Sequence, residues 1–252
     1  MERYTIGGVA FLVKESLPEL ETDSVADAEL RVLFETAGSH DETLTREDKL
    51  RSPIRRVGGP ADLSGAIDPE GGVCWLPAGY DTPAERSWQL RQMAPIFSTV
   101  LGRLVLHASA VETDEGVIGF VGASRAGKST LTRYLSDRGW SLVSDDLLPV
   151  RFTPRPSIPT PEGRRALVAL YFLGRAASDK VSLDPLPAVT AMQRLIHNGF
   201  GEHDDERAGA FQFDSYHRLV ESVPQFDLAV PDDLTALRRV AETIGGVAPG
   251  VN

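Results

Sequence analysis

The run Gly122-Ala123-Ser124-Arg125-Ala126-Gly127-Lys128-Ser129-Thr130 constrains this chain more than any other stretch, because it fits the pattern G-x-x-x-x-G-K-[ST]. Glycine at 122 and 127 lets the backbone turn tightly enough for successive N–H groups to point inward at an anion. Lys128 adds a mobile ammonium, and the Ser129 hydroxyl can ligate a magnesium ion. The flanks supply the context such a loop needs. Gly116-Val-Ile-Gly-Phe-Val121 is a short apolar run that reads as a buried strand. After the loop, Leu131, Tyr134 and Leu135 recur at helical spacing, and Gly139 closes the helix. Strand, glycine loop and helix N-terminus in that order build an anion site from backbone amides and the helix dipole. The residues imply a site for a nucleoside triphosphate.

The chain has 252 residues, enough for one large or two small domains with a sizeable core. A formal charge of -10 argues against nucleic acid and against an anionic membrane as partners. No stretch approaches the ~20 apolar residues of a membrane span. Met1-Glu-Arg-Tyr-Thr-Ile6 lacks the apolar run of a signal peptide, so a soluble, cytoplasmic protein is expected. The single cysteine, Cys74, cannot form an internal disulfide, and its strand-like flanks suggest a packed, inert thiol. Composition leaves a homo-oligomer open.

Residues 1–100 read as a β-rich region leading into one helix. Strands are expected at Tyr4–Val13, Leu30–Phe34 and Gly72–Leu76, with loop from Gly38 to Leu63 and a helix over 82–101 interrupted by Pro95. The short strands leave edges that need covering, so this region is expected to pack on the rest of the chain. Residues 101–252 read as a separate α/β domain. Leu104–Val111 is a strand that forms a hairpin with the strand before the loop, and Ser141–Ser144 is a short strand ending at Asp145-Asp146. The proline-rich segment Pro154–Gly163 reads as loop, Ala166–Leu173 as strand. Helices are expected at Leu186–Asn198, Ala208–Ser222 and Pro231–Ile244, with a strand at Phe226–Val230 before the last. Phe120, Val121, Leu142 and Val143 are expected to be buried.

The acids Asp145 and Asp146 stand at the carboxyl end of a strand, where open α/β sheets place their ligands. One can hold magnesium while the other accepts the proton of an attacking hydroxyl. His107 lies in the strand that leads into the loop strand, so a hairpin would carry it toward the acids.

Three segments together, Leu106-His107-Ala-Ser-Ala-Val111, Gly122–Leu131 and Gly139-Trp-Ser-Leu-Val-Ser-Asp145-Asp146-Leu147, resemble the C-terminal domain of HPr serine kinases. They look closer still to the HPr-kinase-like proteins of peptide-modification gene clusters, including lasso-peptide tailoring kinases. The resemblance implies a phosphate-loop domain of the HPr kinase/PEP carboxykinase-like type. It also implies an ATP- and Mg²⁺-dependent kinase acting on a hydroxyl, a serine of a peptide or small protein. On that resemblance Lys128 is the phosphate-loop lysine, Ser129 the magnesium-binding hydroxyl, Asp145 the general base, Asp146 a metal-side carboxylate and His107 the active-site histidine, which would orient Asp145. It covers residues 104–149 well and the C-terminal helices loosely.

This chain departs from that pattern in several places. Arg125 stands where the family usually has glycine, and the signature of the bifunctional enzymes has no counterpart. Residues 1–100 do not resemble the N-terminal domain of HPr kinases, so the acceptor does not carry over. A kinase for a free small molecule such as an amino acid, and a nucleotide-sensing module without catalysis, are the alternatives. No base-reading motif of the GTPase kind is present. Arg151, Arg155, Arg164 and Arg165 bracket the proline-rich segment and are candidates to clamp phosphate, against solvated surface charge. The acidic run 201–206 reads as a solvated loop, and Phe211, Phe213, Tyr216 and Leu219 as packing residues.

Overall fold

Apolar runs broken by glycine pairs and acidic turns give the chain many short strands before it gives any helix. The computed structural model describes residues 1–6, 8–17, 28–34, 55–58, 64–77, 79–200 and 206–245. By contact the chain divides into two compact units, Met1–Val105 with Phe200–Gln212 and Leu106–Gly199 with Phe213–Asn252. Among the described residues, no helix is long and apolar enough to cross a membrane.

In the first unit, β1 (Glu2–Ile6) and β2 (Val9–Val13) pair antiparallel, so the expected single strand over 4–13 is a hairpin. Two adjacent glycines in the sequence are the signal for that reversal. Next come β3 (Ala28–Phe34), β4 (Arg55–Gly58), β5 (Ser64–Asp68) and β6 (Val73–Leu76), giving a six-stranded sheet in the order β1-β2-β3-β6-β5-β4. Of the loop expected from Gly38 to Leu63, only 55–58 are described, and they form β4. Cys74 is fully buried in β6, and burial pushes its thiol pKa up, away from reactivity.

Helix α1 (Pro83–Val100) begins with a capping box, in which Thr82 accepts from the Glu85 N–H and Glu85 accepts from the Thr82 N–H. It runs through Pro95 without the expected interruption. A mid-helix proline costs about 3 kcal/mol in isolation. Here Leu90, Met93, Ile96 and Phe97 are fully buried, and Gly65 of β5 leaves room for Met93 and Phe97 against the sheet.

The second unit is mixed α/β. Its strands are β7 (Leu104–Thr113), β8 (Gly116–Val121), β9 (Ser141–Ser144), β10 (Leu147–Phe152), β11 (Pro156–Thr160), β12 (Gly163–Arg175), β13 (Ser182–Pro185) and β14 (Gln225–Val230). Its helices are α2 (Lys128–Ser136), α3 (Ala188–His197), α4 (Glu206–Ser222, which begins in the first unit) and α5 (Ala236–Gly245). The main path is β11-β10-β7-β8-β12-β14-β13, with β9 attached to β7 and β11 also paired to β12. Those pairings close a circuit through β7, β8, β12, β11 and β10. β8, β12 and β14 run parallel, as crossover helices require. Leu131 and Leu135 of α2 and Val240 and Ile244 of α5 pack with Phe120, Tyr171 and Leu228 of those strands. Tyr171 stacks on Phe120 and Phe226, with centroids 5.7 and 5.4 Å away.

Several expectations are corrected. The proline-rich segment is not loop throughout, because β11 pairs with both β10 and β12. Pro156 opens that strand, and the β10 ladder reaches only Pro156 and Ser157, so Pro159 is paired on one side alone. Leu142 is 49% exposed and Val143 only half-buried, because β9 is a four-residue strand that among the described strands pairs only with β7, whereas Phe120 and Val121 are buried as expected. The last helix starts at Ala236, since Asp233 accepts from the Thr235 N–H and holds the chain in a turn first. Tyr216 and Leu219 are buried, but Phe213 is exposed. The run 201–205 and residues 246–252 lie outside the described residues.

Strands β8 and β12 stay in register except between Leu167 and Ala169, where Val168 is an extra residue, a bulge. Gly116 sits beside it with φ 149°, and a Cβ there would lie 2.5 Å from the Ala166 carbonyl oxygen and 2.7 Å from Val168 Cγ1. Gly116→Ala is therefore expected to destabilise the protein by about 2–3 kcal/mol, through backbone strain plus overpacking. The midpoint of a urea transition checks this.

Candidate functional site

Hairpin register brings the sequence-predicted residues together. β7 and β8 pair from Thr113↔Gly116 to Ala108↔Val121, so His107 is the first β7 residue past the ladder, where the loop begins at Gly122. The Ala108 N–H donates to the Asp146 carbonyl at 3.1 Å. The Ser109 hydroxyl donates to the Asp145 carbonyl at 2.6 Å, with the Asp145 Oδ1 at 3.4 Å. These bonds fix the turn between β9 and β10 that carries both acids.

His107 Nε2 lies 3.2 Å from Asp146 Oδ1 and 3.5 Å from Lys128 Nζ. The sequence expectation has His107 orient Asp145; its Nε2 contact here is with Asp146. One ring nitrogen cannot donate and accept at once. The shorter contact favours Nε2–H donating to Asp146, leaving Lys128 to donate to the carbonyls of Gly122 at 2.7 Å and Ala123 at 3.2 Å. Lys128 is only 6% exposed. That burial lowers its pKa from the ordinary lysine value, while the charges of Asp146 and then Asp145 pull it back up.

The loop presents Ala123, Ser124, Arg125 and Ala126 to solvent, and α2 starts behind it with Ser129 and Thr130 exposed in its first turn. Gly127 is the N-cap, with φ 93° and no side-chain cap bond, and the first turn holds no acid. The leading N–H groups of α2 are thus left uncapped by the helix's own side chains, as an anion site requires. Arg125 has φ 64°, which no other described non-glycine residue adopts as a positive value. A left-handed backbone costs an ordinary side chain about 1–2 kcal/mol. Among the described residues, no group of three His, Cys, Asp or Glu could hold a metal alone. The Ser129 hydroxyl and the Asp145 and Asp146 carboxylates are oxygen donors of the kind that magnesium takes alongside phosphate and water.

Two participants escaped sequence reading. Ser109 is hidden inside an apolar strand, and its signal is the i, i+2 alternation that puts it on the His107 face. Arg133, 79% exposed on its side chain, has Nη2 3.9 Å from Asp145 Oδ2, one helical turn beyond Ser129. By contrast, the four arginines proposed as a clamp sit at the wrong end. Arg151 is opposite Ser157, Ser157 opposite Ala166, and the next residue, Leu167, opposite Val117. That row flanks the β7–β8 turn, roughly 17 Å along β8 from the start of the loop at Gly122. Arg165 there donates to the Thr113 and Asp114 carbonyls and pairs with Glu112. Arg164 donates to Thr153.

No protein-family model matches the chain, and no curated protein does. Among solved structures, the chain is similar to the Hpr(Ser) kinase/phosphatase from Coxiella burnetii. The two are 11% identical, with 57% of this chain and 95% of that chain covered and a TM-score of 0.32. At that score the likeness carries nothing further to this chain.

The strained loop residue gives a direct test. Arg125→Gly is expected to be at least as stable as the parent, because glycine takes φ 64° without penalty. Arg125→Val should lie about 1–2 kcal/mol below Arg125→Gly, since a β-branched residue tolerates that backbone worst. Denaturant midpoints of the two variants check the order.

Proposed function

We propose that this protein is an ATP- and magnesium-dependent phosphotransferase that phosphorylates a hydroxyl, a serine of a peptide or small protein, in the maturation of a peptide product. The proposal includes a phosphate-loop domain of the HPr-kinase-like type over 101–252, with 1–100 as a separate β-rich region. The observation that carries it is the meeting of a buried Lys128, His107 and Asp146, linked by contacts of 3.5 and 3.2 Å, at the mouth of a glycine loop that opens a helix.

Each residue then has a task. The backbone N–H groups of 122–130 cradle the phosphates, and Lys128 exchanges its bonds to Gly122 and Ala123 for phosphate oxygens. Ser129 and Asp146 hold magnesium, with His107 orienting Asp146. Magnesium held there would supply positive charge to neutralise what develops on the phosphate oxygens. Asp145, kept in place by Ser109, takes the proton of the acceptor hydroxyl. The acceptor oxygen forms a bond to the γ-phosphorus as the bond to the ADP oxygen breaks, so ADP leaves with that electron pair.

Titration of Mg-ATP paired with a phosphotransfer assay over candidate peptides tests the reading. Lys128→Ala should lose nucleotide binding. Asp145→Asn should keep Mg-ATP affinity and lose phosphotransfer by about 10²–10⁴. Asp146→Asn should raise the magnesium requirement. Unchanged transfer in Asp145→Asn would remove this mechanism, and ATP binding without acceptor-dependent ADP release would make the protein a nucleotide sensor.

A further inference from the structure

The basic side chains around Asp145 and Asp146 differ in what they can still bind. Lys128 is 6% exposed and donates to the Gly122 and Ala123 carbonyls, so it serves the loop. His107 Nε2 faces Asp146. Arg133 is open to solvent, with its side chain 79% exposed and Nη2 3.9 Å from Asp145 Oδ2, at the outer edge of an ion pair. Two arginines of the adjoining surface are already engaged. Arg138 lies over the Tyr134 ring at 3.5 Å and donates to the Tyr134 carbonyl, and Arg238 of α5 donates to Glu242 at 2.9 Å. Resting on the phosphotransferase reading above, in which Asp145 is the base, we infer that Arg133 binds a carboxylate of the acceptor. The substrate class is then a peptide with an aspartate or glutamate within two residues of its target serine.

Arg133 follows Ser129 by four residues, so both sit on one face of α2, and one helical turn of about 5.4 Å sets the arginine behind the phosphate loop. It therefore stands by the base and not at the mouth of the loop. For its proton to pass, the acceptor hydroxyl must come within about 3 Å of Asp145. A carboxylate bonded to Arg133 Nη2 lies within about 7 Å of Asp145 Oδ2, and an extended chain covers that in two residues. A guanidinium fork matches a carboxylate in two parallel bonds. An arginine so exposed loses little by leaving a 3.9 Å contact to make them. Its charge would also offset the repulsion that Asp145 and Asp146 exert on an acidic acceptor. The formal charge of -10 opposes such an acceptor only weakly at a distance, since exposed charges are screened beyond about 10 Å at 0.1 M salt.

The test uses a library of end-capped peptides, each with one central serine and randomised residues on both sides, incubated with Mg-ATP before the phosphorylated pool is sequenced. The parent should enrich aspartate or glutamate over asparagine and glutamine within two residues of the serine by about tenfold. Arg133→Gln should lose that enrichment, and Arg133→Glu should turn it toward lysine and arginine. On the best acidic sequence, Arg133→Gln should raise KM about tenfold with little change in kcat, the mark of lost acceptor binding. Mg-ATP affinity should stay at the parent value, which also shows that the variants are folded. A parent pool without acidic enrichment, or one that Arg133→Gln leaves unchanged, would overturn the inference and leave the phosphotransferase reading standing. A fall in kcat shared by acidic and neutral peptides would overturn it too, because Arg133 would then serve Asp145. Weaker Mg-ATP binding in both variants would overturn it by placing Arg133 at the phosphates. A parent that labels no peptide would remove the reading as a peptide phosphotransferase and this inference with it.

Discussion

The antiparallel ladder between β7 and β8 fixes the separations in the site. Its last pair, Ala108↔Val121, puts the histidine strand and the phosphate loop side by side at one end of the sheet. Because strand side chains alternate, that register also commits His107 and Ser109 to one face. A slip of one residue would send both to the other face and separate Lys128 from its histidine. The acids join through backbone bonds, Ala108 to Asp146 and Ser109 to Asp145, and so depend on the same strand. The site is held by sheet geometry more than by its own charges.

Around Lys128 the energetics are balanced. An ammonium removed from water is costly, and here the carbonyls of Gly122 and Ala123 and the nearby carboxylates of Asp146 and Asp145 compensate it. The surface contact of Arg133 with Asp145 adds little, since that arginine is largely solvated. An anion entering the loop would meet N–H groups already oriented, so its binding would need little reorganisation.

The legible parts of the sequence were those in which one short segment determines its own structure. The loop, the strand before it, the helix after it and the β7–β8 hairpin are local patterns, and each appears where the sequence placed it. Non-local pairing was not legible. β11 looks like loop because its prolines lack donors, and only the pairing shows why they are tolerated: Pro156 is paired with β10 alone and Pro159 with β12 alone. The four arginines look close to the acids along the chain, but the parallel register of β12 with β8 carries them to the opposite end. Pro95 misled in the other direction, because burial of its neighbours outweighs a propensity that counts only local cost. Arg125 was seen as a departure, yet its left-handed backbone cannot be read from side-chain type.

The bulge at Val168 bears on how this fold can diversify. One unmatched residue lets β12 join β11 with its first half and β8 and β14 with its second, each half keeping its own phase. A lengthened or shortened hairpin around Pro161-Glu162 would be absorbed at that irregularity before it reached Leu173. Apart from Gly116, whose place admits no side chain, the hairpin end of the sheet can therefore change in length across evolutionary time. A lineage could graft new recognition segments there while the geometry around Lys128 stays insulated from the change.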